Sequence, residues 1–140
     1  MKYSNLFMKQ VFEDMASCPL PAFEVPVSLS LLRNMRSAVT NNNLIPTHLV
    51  LGAHTLEKLL YDSTVSSVFE SSDPEDVKVG YAGFAVGLDF LTESFVAAGE
   101  RCLPNNFLGI LSLESTYART WGTEAPITVS QFCAGTLVSR

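Results

Sequence analysis

Between Lys78 and Leu113 the chain reads KVGYAGFAVGLDFLTESFVAAGERCLPNNFLGILSL. Phe84, Val86, Leu88 and Phe90 alternate strictly with Ala85, Gly87 and Asp89. A period of two places all four large residues on one face of a strand. The small residues between them let another backbone come close on the opposite face. A loop of about 15 residues follows, and Phe107 to Leu113 then reads as a second apolar strand. Gly80, Gly83 and Gly87 therefore read as strand devices. A phosphate-binding loop would open a helix and carry Gly-Lys-Ser/Thr, which this stretch lacks.

The elements before it are mostly helical. Met8, Val11, Phe12 and Met15 fall at i, i+3, i+4 and i+7, which predicts an amphipathic helix over Ser4 to Ser17 with Ser4 as its N-cap. The segment CPLPAFEVP holds three prolines in nine residues and reads as an extended linker over 19–26, so that residues 1–18 form a helix separable from the rest. Val27 to Thr40 predicts a second amphipathic helix with Leu31, Leu32, Met35, Ala38 and Val39 inward, stopped by Asn41-Asn42-Asn43. Thr47 to Leu51 reads as a short strand, and Gly52 breaks it. Thr55 to Tyr61 reads as a short helix with Leu56, Leu59 and Leu60 inward. Asp62 to Val77 is polar and loop-like, with Pro74 placed to start a brief helix. Ile127 to Phe132 is the last strand candidate. The pattern predicts a single domain over 1–140 in the α+β class. N-terminal amphipathic helices precede a mainly antiparallel sheet with one short helix.

Composition narrows the function. At 140 residues the chain can bury roughly two-thirds of its unfolded surface without disulfides or metal. Only 16% of its residues are charged, against about 25% in typical soluble domains. Two readings fit: part of the surface is covered by a partner, or the surface is rich in Ser, Thr and Asn. The net charge is −5 and the basic residues do not cluster, which argues against direct nucleic-acid binding. Cys18, Cys102 and Cys133 show no paired spacing and fit free thiols in a reducing compartment. No secretory signal is visible, and the longest uncharged apolar run, Val79 to Leu88, is too short to cross a bilayer. A soluble protein with no membrane contact is expected.

Candidate chemistry is sparse. His48 and His54 stand six residues apart, one in a strand and one at a turn, which is not a zinc-ligand spacing. Cys102 follows Arg101, so a nucleophilic thiol with His54 as its base is conceivable, but nothing in the spacing demands it, and a cysteine behaving as a small hydrophobe is the favoured reading. Asp73, Glu75 and Asp76 lack the ligand alternation of a calcium loop. No G-x-S-x-G elbow occurs. No catalytic, cofactor-binding or metal-ligating residue is assigned, no cofactor is implied, and enzymatic activity is not expected.

From Ile45 onward the order of elements resembles one end of tailed-bacteriophage major capsid proteins of the Hong Kong type. IPTHLVLGAHTLEKLL is similar to that family's strand leading to a short helix. GYAGFAVGLDFLTES is similar to its glycine-punctuated strand, and LPNNFLGILSLES to the strand that closes the unit. The resemblance covers roughly the C-terminal half. The chain is shorter than such capsid proteins and has no place for their long hairpin or spine helix. The resemblance thus implies a shortened relative: a minor capsid, vertex, decoration or connector component. It would reside in the virion, and in the host cytoplasm before assembly. Its partners would be other virion proteins or copies of itself, in an oligomer or larger assembly.

On that reading, binding rests on apolar anchors rimmed by polar groups. The candidates are Phe23, Tyr117, Trp121 and the stripe Met8, Val11, Phe12 and Met15. The stripe has a competing assignment, packing on its own domain. Two other functions fit the sequence: a small cytosolic enzyme or ligand-binding domain with a pocket near His54 and Cys102, and an adaptor for one protein partner.

Overall fold

A computed structural model describes residues 4–17, 22–23, 28–41, 43–112 and 132–137, with 22–23 and 132–137 described through their backbone pairing. Among these residues the fold is α+β, a mixed seven-stranded sheet with helices packed on both faces.

Helix α1 spans Asn5–Ser17 and α2 spans Leu29–Thr40. Both begin on serine. Ser4 Oγ accepts the Phe7 N–H at 3.2 Å, and Ser28 Oγ accepts that of Leu31 at 3.4 Å, satisfying donors that a helix start leaves open. Between the helices, β1 (Ala22–Phe23) adds a short strand where the sequence reads as a linker. Past α2 the chain turns at Asn43, whose φ of 61° lies in the left-handed region that asparagine tolerates. Strand β2 (His48–Leu51) leads through Gly52 into α3 (Thr55–Tyr61), as the sequence reading has it.

Residues 62–77, read from the sequence as loop, contain local structure. They hold α4 (Ser63–Ser66), β3 (Glu70–Ser71) and the start of α5 (Pro74–Lys78). Asp62 caps α4 by accepting the Thr64 N–H at 2.9 Å, and Pro74 opens α5 as its position predicts. Strands β4 (Tyr81–Ala85), β5 (Leu88–Leu91), β6 (Phe107–Leu111) and β7 (Phe132–Leu137) complete the sheet, with a 3₁₀ turn at Ala98–Glu100. Of the strand expected over Ile127 to Phe132, residues 127–131 lie outside the described residues.

The strand order is β1-β7-β6-β2-β5-β4-β3. Every pairing is antiparallel except β1–β7 and β2–β5. All residues of the central strands β2 and β6 are buried, so both faces of the sheet are covered. On one face Val50, Leu91, Phe107 and Leu111 meet the α1 stripe, with Phe7, Met8, Val11, Phe12 and Met15 essentially inaccessible. On the other, Leu49, Leu51, Phe90 and Ile110 meet Leu32, Met35 and Val39 of α2, Leu59 of α3 and Val65 of α4.

One expectation is overturned. Phe84, Val86, Leu88 and Phe90 do not share one strand. Val86 and Gly87 form the two-residue turn of a hairpin, with φ of +48° and +77°. That conformation matches the twist of paired strands and normally selects Asn-Gly, so a valine there disguises the turn as more strand. The hairpin pairs Phe84 with Asp89 and Ala85 with Leu88. Phe84 therefore lies on the opposite face from Leu88 and Phe90 and stays 45% exposed.

Candidate functional site

Strands β2 and β5 run parallel, and their carboxyl ends lie side by side. The chain leaves β2 at Gly52 and β5 at Thr92, so both exits open on one edge of the sheet. In open sheets with parallel strands, such an edge is where a crevice forms. The loop Thr92–Asn106 folds back against it. Gly52 is required by that approach: a Cβ there would collide with the carbonyl oxygens of Pro104 and Asn105. Thr55, at the first turn of α3 and fully buried, donates its hydroxyl to the Phe107 carbonyl at 2.6 Å and ties α3 to β6.

Glu93 organises the loop from inside. It is buried, and its carboxylate accepts the backbone N–H of Cys102 at 2.9 Å and of Leu103 at 3.1 Å. The Cys102 thiol sits 3.6 Å from the same carboxylate. Burial, with the Glu93 charge next in size, pushes the Cys102 thiol up to about 11. A nucleophilic cysteine needs the reverse, a cationic setting that favours thiolate. His54 supplies no such setting. It stands exposed at the N-cap of α3 without a side-chain cap bond, and its N–H donates to the Asn105 carbonyl at 2.9 Å.

Two concavities adjoin this edge. A cleft of about 200 Å³ is lined by Gly52, Ala53, Leu56, Thr92, Glu93, Ser94 and Arg101. Arg101 is exposed; its Nε donates to the Val96 carbonyl at 3.0 Å, and no carboxylate pairs with it among the described residues. An open groove of about 500 Å³ runs along α3 past Ala53, Leu56, Glu57, Leu60 and Tyr61. Leu56 and Leu60, expected inward, are only partly buried and line this groove; Leu59 alone of the three is inaccessible.

At the other end of β2, His48 is buried at 6% exposure, with Nδ1 2.6 Å from Thr47 Oγ1 and Nε2 3.9 Å from an Asp89 carboxylate oxygen. Its ring meets Tyr81 edge-on. Burial lowers its pKa to about 4, so the ring is neutral at neutral pH. Among the described residues no group of three or more His, Cys, Asp or Glu side chains is arranged to hold a metal ion, and no helix is long and apolar enough to cross a membrane.

The interface candidates fare unequally. Met8, Val11, Phe12 and Met15 are consumed by the chain's own core and present nothing to a partner, a correction that follows from the sheet face they cover. The backbone of Phe23 pairs with Leu137 at the β1 edge. Tyr117 and Trp121 lie outside the described residues. Among the described residues the exposed large apolar side chains, none of them an interface candidate from the sequence, are Tyr61 at 83%, Leu6 at 75% and Ile45 at 66%, with Phe84, Val68, Val77 and Val79 less so. Tyr61 carried one readable signal, its place off the inward stripe at the end of α3.

No protein-family model matches the chain, and comparison with characterised proteins and with solved structures gives no match.

Proposed function

We propose that the chain is a structural component of a bacteriophage virion, a minor capsid, vertex, decoration or connector protein, and that it acts by binding other protein chains. The observation that carries the reading is the open, mainly apolar groove along α3 beside a cleft whose one buried acid, Glu93, is already engaged by the backbone N–H groups of Cys102 and Leu103. Such a surface suits docking and lacks an activated nucleophile. The resemblance of IPTHLVLGAHTLEKLL and LPNNFLGILSLES to Hong Kong-type capsid segments supports the virion setting; GYAGFAVGLDFLTES, likened to a single strand, folds as the β4–β5 hairpin and does not add to it. In the fold these segments supply the adjacent strands β6, β2, β5 and β4.

The ligand-binding reading keeps one observation in its favour, the cleft of about 200 Å³ next to His54 and Cys102. Its catalytic form is disfavoured by the raised thiol pKa.

Light scattering on the eluting protein over a wide concentration range, alone and mixed with shell proteins of a tailed phage, tests the proposal. The expected result is species heavier than the 15.3 kDa chain. A chain that stays monomeric alone and binds no shell protein overturns it.

A further inference from the structure

The cleft at the carboxyl ends of β2 and β5 is lined by two opposite charges, Glu93 and Arg101, and among the described residues neither has an ionic partner. Glu93 is buried at 7% exposure. Acidic side chains seldom stay that buried without a cation beside them. Its carboxylate holds two backbone N–H groups, that of Leu103 on Oε1 and that of Cys102 on Oε2. A carboxylate offers about four acceptor positions, so each oxygen keeps room for a further donor. Arg101 spends only its Nε, on the Val96 carbonyl, and its other N–H groups have no acceptor among the described residues. Ala53 and Leu56 add an apolar wall. The nearby acids do not change this balance. Glu57 is exposed and lines the adjoining groove, and Glu100 faces Lys9 at 3.9 Å.

We propose that this cleft binds a small zwitterionic amino acid. The ligand's ammonium group lies on Glu93, its carboxylate on the guanidinium of Arg101, and its aliphatic side chain against Ala53 and Leu56. An anion alone would suit Arg101 but meet the charge of Glu93, and a cation alone would do the reverse. One molecule carrying both charges satisfies both residues and supplies the cation that buried Glu93 lacks. A guanidinium with free N–H groups can take a carboxylate through two parallel bonds. The volume of about 200 Å³ sets the size. It falls below the roughly 300–1,000 Å³ of pockets for drug-sized ligands, so a single amino acid fits the cleft better than a large cofactor. The edge where two parallel strands end is also where open sheets place their ligands. The site is built from this chain's residues alone and stands apart from the assembly reading.

The test is calorimetric titration of the full chain with three probes: leucine, isoamylamine, which lacks the carboxylate, and isocaproate, which lacks the ammonium group. Leucine should bind, and each singly charged probe should bind at least tenfold more weakly. Arg101→Gln, at an exposed position, should weaken leucine at least tenfold and leave isoamylamine unchanged. Glu93→Gln, with folding confirmed by circular dichroism, should weaken leucine and isoamylamine together. No leucine heat at millimolar concentration overturns the site. Isocaproate binding as tightly as leucine overturns the ammonium contact with Glu93. Leucine binding that survives Arg101→Gln overturns the carboxylate contact. Each of these failures leaves the assembly reading intact, because light scattering with shell proteins does not depend on this cleft being filled.

Discussion

The carboxylate of Glu93 accepts the backbone N–H of Cys102 at 2.9 Å, closing the loop between β5 and β6 on a buried anion. A second bond to the Leu103 N–H makes the clasp bidentate. Hydrogen bonds to a buried charged acceptor contribute about 1.5–3 kcal/mol, and their loss leaves N–H groups without a partner. Glu93→Gln should therefore lower unfolding stability by about 2 kcal/mol, read from urea denaturation. The same change should speed labelling of Cys102, tested with Cys18 and Cys133 replaced by serine, because the neighbouring charge that disfavours thiolate is gone. Wild-type Cys102 that labels as fast as a free model thiol would contradict the clasp.

His48 sets a pH dependence whose sign follows from its burial. The imidazole titrates at 6.5 when unfolded and at about 4 when folded. Between those values the unfolded chain binds a proton that the folded chain does not. This stabilising contribution is complete above pH 6.5 and is lost as pH falls toward 4. The total is on the order of 3 kcal/mol. Urea unfolding at pH 7 and pH 4.5 should show a steeper loss for wild type than for His48→Gln. Equal losses would remove His48 as the cause.

Val86 holds a left-handed conformation that a β-branched side chain adopts at a cost of about 1–2 kcal/mol. Arg36 steadies the turn by donating from Nη1 to the Val86 carbonyl at 2.6 Å. Val86→Asn should raise the melting temperature by a few degrees, since asparagine accepts that conformation; the net gain is about 0.5–1 kcal/mol after some lost packing. Arg36→Ala should lower stability by about 1 kcal/mol, and less so in the Val86→Asn background.

Phe12 is fully buried and its ring lies 5.8 Å from that of Phe95, centroid to centroid. Phe12→Ala should cost about 3–5 kcal/mol in unfolding free energy. A variant of unchanged stability would mean that α1 leaves the sheet in solution, returning its stripe to the role of a partner surface.

Local order was legible in the sequence wherever one residue's chemistry decides it. The apolar period of 3.6 marks α1, α2 and α3; Ser4 marks the start of the first, while Ser28, which the periodicity alone places inside the second, is its cap; Pro74 marks α5. The α+β class follows from the order of those signals. The hairpin was not legible, because Val86 carries a strand former's side chain in a turn former's backbone, and only pairing across β4 and β5 reveals it. The candidate site was legible only as a guess that Cys102 and His54 mattered. Glu93 and Cys102 meet across a folded loop, and Gly52 packs on Pro104 from about fifty positions away, contacts no local pattern encodes. The fate of the α1 stripe was likewise undecided, since amphipathic periodicity says that a face must be buried and not against what. The tertiary structure decided it: β2 and β6 expose apolar residues on both faces, and the sheet needs α1 on one side because α2 already covers the other.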